Sequence, residues 1–130
     1  MEEKIDLNVC YRRAFEALGI TGSVQKFIDY ITEYAPVVLI VLAPKSNKNA
    51  IYDASLIMGN LMQAAHAVGL GSCWINRAKE EFASEEGKQL LKEWGIEGEY
   101  EGVGHCILGY VDGPVPKAAP RKANRVFYVK

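Results

Sequence analysis

The chain has almost no net charge: 15 lysines and arginines against 16 aspartates and glutamates leave a formal value of −1 over 130 residues. Without a field of one sign nothing draws the molecule as a whole to nucleic acid, and no nucleic-acid partner is expected. A long apolar run is also lacking. The longest, Val37 to Ala43, falls far short of the roughly 20 residues that span a bilayer, so no membrane partner is expected. The acidic opening MEEKIDLN has no apolar stretch behind it and reads as neither signal nor transit peptide. Cysteines are few, and Cys10, Cys73 and Cys106 are spaced neither as a metal cage nor as a disulfide framework, which fits a reducing, cytoplasmic setting and gives no metal ligand. No Ser/His/Asp or Cys/His pattern and no acid pair at a telling spacing is present, so no catalytic side chain is assigned.

What is there suits one globular domain. Apolar residues make up 49% and charged residues 24%, ordinary values for a chain that buries about two thirds of its unfolded surface. Residues 1–34 read as a helical N-terminal region. Leu7 to Leu18 gathers Val9, Cys10, Ala14, Phe15 and Leu18 on one side, Gly19 and Gly22 break it, and Ser23 opens a second helix with Phe27, Ile28 and Ile31 together. Pro36 ends that helix. The following PVVLIVLA is β-branched and uncharged, as expected of a strand covered on both faces, and is the expected centre of the sheet. Pro44 to Asn49 is a polar loop whose lysines read as solvated.

The most informative stretch is Tyr52 to Arg77, YDASLIMGNLMQAAHAVGLGSCWINR. Ala54, Ile57, Met58, Leu61, Met62, Ala65 and Val68 recur at helical steps, and small or apolar neighbours extend this character around the cylinder, predicting a central helix buried on most sides. Glycines at 69 and 71 stop it near Val68, and Ser72 to Ile75 reads as a short strand with Asn76 and Arg77 emerging at its end. Ends of strands are where sheets offer ligand sites. Beyond it, Ser84 caps a helix with an acidic first turn and Leu90, Leu91 and Trp94 on its buried side, closed by Gly95. Val103 to Val111 is a further strand in which Val103, His105 and Ile107 share a face, so His105 must face something specific. His105 and His66 read as hydrogen-bonded structural residues rather than catalysts. Residues 112–130 form an extended C-terminal arm, since Pro114, Pro116 and Pro120 forbid a helix, and the arm ends in the β-prone Val126-Phe127-Tyr128-Val129.

Three pieces in fixed order carry a resemblance: the AP-apolar strand from Ala35 to Ala43, the block YDASLIMGNLMQAAHAVGLGSCWI, and the closing LGYVDGPVPKAAPRK. Together, from about Ala35 to the C-terminus, they resemble the C-terminal part of the nitroreductase family. The resemblance implies an α+β fold with a mixed, mainly antiparallel sheet flanked by helices and a long central helix at a homodimer interface. It implies FMN as cofactor, NADH or NADPH as reductant, and a nitroaromatic, quinone or similar small molecule as electron acceptor in a ping-pong scheme. By the same likeness Trp74, Ile75 and Asn76 approach the flavin ring, mostly through backbone groups, while Arg121 and Lys122 contact its phosphate, with Lys117 less secure.

The family also begins with an arginine- and serine-rich phosphate-binding segment, followed by a Pro-Ser, Asn and Gln-Pro-Trp stretch against the flavin. Neither occurs here. Arg12 and Arg13 have no serine behind them and read as solvated helix residues. The expectation is therefore a domain that is incomplete at its N-terminus. Two alternatives stay open beside the enzyme: a shortened, non-enzymatic binding or interaction module, and one part of a composite flavoenzyme. They separate on whether residues 1–34 bring a basic group to the Trp74–Asn76 strand end or simply cover the sheet.

Overall fold

The computed structural model describes residues 4–17, 19–20 and 23–130, without the side chains of Tyr11 and Phe15. Leu18, Gly22 and the Phe15 side chain, assigned above to the first helix and its stop, lie outside that description. Strand β1 (Lys4–Ile5) leads into helices α1 (Leu7–Ala17) and α2 (Val24–Thr32), followed by β2 (Val37–Pro44), the long α3 (Ala50–Ala67) and β3 (Leu70–Ile75). Two short helices, α4 (Ala78–Ala83) and α5 (Glu85–Glu93), then precede β4 (Tyr100–Val111).

The sheet is built around β4. It pairs antiparallel with β2 and with β3 and parallel with β1, giving the mixed, mainly antiparallel α+β architecture expected from the sequence. The predicted centre, β2, lies to one side. Helices cover both of its faces, so its apolar run reflects that double cover rather than a central position.

Three apolar clusters fasten the layers. On one face Cys10, Ala17, Phe27 and Ile31 of α1 and α2 meet Ile75 and Ile107, and beside them Phe82, Ala78 and Leu91 of the α4–α5 pair meet Ile40 and Leu42. On the opposite face Ala50, Ala54 and Met58 of α3 rest on Val41, Ala43, Cys106 and Trp74. The stripe that α3 buries is narrower than its apolar pattern: Tyr52, Leu56 and Ile57 point outward and are exposed. Among the described residues nothing covers that second face.

Local chemistry explains most boundaries. Ser23 and Ser84 act as N-caps, accepting from the N–H of Lys26 at 3.3 Å and of Gly87 at 3.0 Å. Gly69 (φ 80°) and Gly95 (φ 74°) take the left-handed backbone that ends α3 and α5. Trp94, expected on the buried side of α5, is the C-cap residue and is 47% exposed, with its ring edging against Phe82 at 6.1 Å. Between Gly102 and Gly104 the β2–β4 register slips, leaving Val103 unpaired, so it turns to the α3 side with Cys106 instead of sharing the face of His105. The sequence alternation could not show this bulge.

A carboxylate joins the two helical units on the first face. Glu86 of α5 accepts hydrogen bonds from Ser23 Oγ at 3.0 Å and from the N–H groups of Val24 at 2.9 Å and Gln25 at 3.0 Å, the open donors of the first turn of α2. The N–H groups of Gln25 and Val24 hold its carboxyl below the usual range. A lowered native pKa means this stabilisation is complete at neutral pH and is lost as the pH falls through the folded value. Glu86→Gln is expected to lower the melting temperature at pH 7 while flattening its decline towards acid, checked by thermal unfolding between about pH 7 and pH 3.

The glycines of β4 lie under close contacts. A Cβ at Gly102 would collide with the backbone oxygen and carbon of Ala78, which cannot swing aside. Gly102→Ala is expected to cost about 3 kcal/mol in urea unfolding with an unchanged denaturant slope.

Candidate functional site at the end of the third strand

In β3, side chains alternate between the two helical layers. Ile75 is buried against α1 and α2, whereas Trp74 turns towards α3 and packs on Val41, Met58 and Cys106. Its indole lies over Gly104, where any Cβ would strike the ring, and its Nε1–H is buried without a hydrogen-bond partner among the described residues. Asn76, the next residue out of the strand, is exposed. Among the described residues β3 pairs with a strand on one side only, so the peptide groups along its other edge are not engaged by a strand. The strand end therefore offers fixed N–H and C=O groups, an exposed amide and a buried indole donor within three residues.

Beyond Asn76 the chain turns into α4 through Arg77, whose guanidinium donates to the carbonyl of Ile20 at 2.7 Å. A cavity of about 210 Å³ opens here, lined by Ser23, Val24, Arg77, Glu80, Glu81 and Glu86 among others. Behind the strand end, His105 of β4 and Glu81 of α4 form a buried pair, with His105 Nε2 2.6 Å from Glu81 Oε2. The expectation that His105 faces a specific partner is thus met, and Glu81, on a helix that the sequence reading did not assign, is that partner.

The N-terminal helices cover the sheet. Arg13 stacks on the rings of Tyr30 and Tyr34 at 5.7 and 5.2 Å and pairs with Glu33 at 3.6 Å, and Arg12 is exposed. The basic group at the strand end is Arg77, which the strand itself delivers.

Arg121 and Lys122 lie in residues 112–130, a segment with no helix or strand and exposed along its length. With Asn124, Arg125 and Val126 they line an open cavity of about 530 Å³ to which β3 contributes nothing. Among the described residues, the cavity lined by Arg121 and Lys122 does not take in Trp74, Ile75 or Asn76. Arg125, absent from the sequence reading, adds a third cation there. Its four-residue spacing from Arg121 was the available signal, but it carries meaning only once the segment's path is known.

All three thiols are held towards their protonated form. Burial pushes Cys10 up to about 11, helped by neighbouring Cys73 and Asp6, and burial likewise raises Cys73 and Cys106. Among the described residues no cluster of His, Cys, Asp and Glu is arranged to hold a metal ion.

Comparison with known proteins fits this architecture. The sequence matches the nitroreductase family profile over residues 5–110, beginning well before Ala35, where the resemblance starts, and stopping short of the C-terminal segment. In structure the chain is similar to a nitroreductase with bound FMN from Bacteroides fragilis, with a TM-score of 0.69 and 23% identity over 91% of this chain and 67% of that one. It is similar also to a nitroreductase with bound FMN from Desulfitobacterium hafniense, at 0.64 and 18% over 90% and 65%. A third neighbour is an FMN-dependent nitroreductase from Mycobacterium smegmatis in complex with NADPH, at 0.54 and 22% over 93% and 58%. The chain thus spans 58–67% of the length of these three proteins. No curated protein sequence gives a significant match.

Because nucleophilicity resides in the thiolate, Cys10, Cys73 and Cys106 are expected to resist a chromogenic thiol reagent at about pH 8 in the native protein and to react rapidly in denaturant. A fast native phase would show that one of them is more accessible than its burial implies.

Proposed function

The chain belongs to the nitroreductase family, and from that premise we propose that it is an FMN-dependent oxidoreductase that takes electrons from NADH or NADPH and reduces a nitroaromatic, quinone or similar small acceptor. The observation that carries this reading is the open end of β3, where Asn76 is exposed and the indole donor of Trp74 lacks a partner among the described residues. One edge of a flavin ring presents alternating donors and acceptors, which a strand end can meet with fixed backbone groups. Trp74, Ile75 and Asn76 suit that edge. Arg121 and Lys122, with Arg125 beside them, suit a phosphate, because guanidinium and ammonium groups form short charge-assisted bonds to its oxygens.

Bound FMN would supply the hydride and electron chemistry. The chain's own work is to hold the ring edge, anchor the phosphate and keep a shaped surface over the sheet. No side-chain acid or base is required, in keeping with the absence of a dyad or triad pattern.

Since no residue of β3 lines the cationic cavity, the reading is of a site completed by a second copy of the chain. The outward residues Tyr52, Leu56 and Ile57 of α3 and the exposed Val126–Val129 are the apolar surfaces for that homodimer. No described helix is long and apolar enough to cross a membrane, and a cytoplasmic location suits the three free thiols. A second reading, a non-enzymatic module or one part of a composite flavoenzyme, is favoured by one observation: among the described residues, the N-terminal helices cover the sheet and line the cavity beside the strand end with no basic side chain of their own.

The visible spectrum of the purified protein, followed by fluorescence titration with FMN, tests the proposal. Saturable micromolar-or-tighter binding is expected, and Arg121→Ala combined with Lys122→Ala should weaken it about ten- to a hundredfold through lost charge-assisted bonds. No flavin band and no saturable binding would move the assignment to the second reading.

A further inference from the structure

The buried pair behind the strand end closes a ring of links. Ile75 lies opposite His105 in the β3–β4 ladder. From Ile75 the chain runs through Asn76 and Arg77 into α4, where Glu81 returns to His105 at 2.6 Å. Asn76 is the exposed residue at the strand end of this closed path. The turn is tightened by the Arg77 N–H, which donates to the Ile75 carbonyl at 3.1 Å, and by Gly102, which lets the backbone of Ala78 press directly on β4.

The pair sits where two apolar clusters meet. His105 is fully buried between Phe27 of α2, 5.0 Å between ring centroids, and Phe82 of α4, at 6.4 Å. Its other neighbours across the sheet are Ile40 and Ile75. Glu81 Oε1 and His105 Nδ1 have no hydrogen-bond partner among the described residues, which leaves the Nε2–Oε2 contact as the link that ties this polar island together. A buried ionisable pair is a poor device for stability, since apolar residues of matching volume generally hold such a site as well or better. Its advantage over apolar packing is directional: one short hydrogen bond fixes the angle and depth at which α4 docks, whereas methyl groups can slide.

We propose that Glu81 and His105 are positioning residues that set the geometry of the Ile75–Asn76–Arg77 turn and, through it, the edge that the strand presents to a flavin. Neither touches the ligand. The second half of this statement rests on the function proposed above, while the first half does not.

The experiment uses the full chain with Glu81→Met together with His105→Leu, an apolar pair of similar volume, and Glu81→Gln as the conservative variant that keeps a hydrogen-bonding group of the same shape opposite Nε2. The double variant is expected to unfold at a urea concentration equal to or above that of the parent. It should nevertheless lose at least tenfold in protection of the Arg77 amide against hydrogen exchange, with β2 amides unchanged, and bind FMN at least tenfold more weakly with a shifted visible flavin band. Glu81→Gln is expected to restore most of both. If the double variant keeps parental exchange at Arg77, the positioning role is overturned. It is equally overturned if protection is lost only in step with global stability, which would make the pair a structural clamp. A parent chain that binds no FMN would overturn the proposed function and leave the exchange result to decide the positioning role.

Discussion

Everything in this molecule is hung on β4. It is the pairing partner of all three other strands, so its backbone sets their registers, and the helices above and below are fixed against a sheet with this one strand in common. A strand pressed from so many sides must be thin where neighbours come closest. Gly102 admits the backbone of Ala78, Gly104 admits the indole of Trp74, and Gly109 admits Ile5 and Pro36. These glycines are chosen for what they lack. The same crowding explains why the one polar side chain buried in the middle of the strand, His105, comes with a carboxylate brought to it by a separate helix.

Much of the architecture was legible because periodicity and capping report local physics. The long helix, both serine caps and the glycine stops at 69 and 95 fall where short-range rules place them. The elements that escaped the reading have little local signature. β1 is two residues long and exists through its ladder to Tyr110 and Val111, a partner at the far end of the chain. α4 is a single polar-looking turn and a half, whose buried residues Ala78, Glu81 and Phe82 make sense only once the β4 surface beneath them is known. The bulge at Val103 and the central rank of β4 are likewise properties of pairing, which a single strand's composition does not encode.

The candidate site was legible in part for the same reason. That the chain should emerge from β3 at Asn76 follows from the glycine turn and the strand behind it, and Asn76 is exposed there while Ile75 is buried. What faces them could not be read. The cations at Arg121, Lys122 and Arg125 sit on a segment whose path is set by prolines and not by a partner element, so sequence spacing gives their mutual proximity without their distance from β3. Likewise the apolar residues on the outer side of α3 are indistinguishable in sequence from those on its inner side, because a helical wheel records hydrophobicity and not the identity of what covers it.

The short β1 strand has a consequence for how the fold is assembled. Its ladder with the end of β4, reinforced by Asp112 N–H donating to the Ile5 carbonyl at 2.8 Å and by Asn8 Nδ2 donating to the Pro114 carbonyl at 2.9 Å, closes a loop that spans nearly the whole described chain. Closing so long a loop carries a large entropic cost, and two residue pairs with a few hydrogen bonds are what offset it. Lys4–Ile5 and Tyr110–Val111 are thereby held side by side by the least local contacts of the fold, the kind that form late and open early.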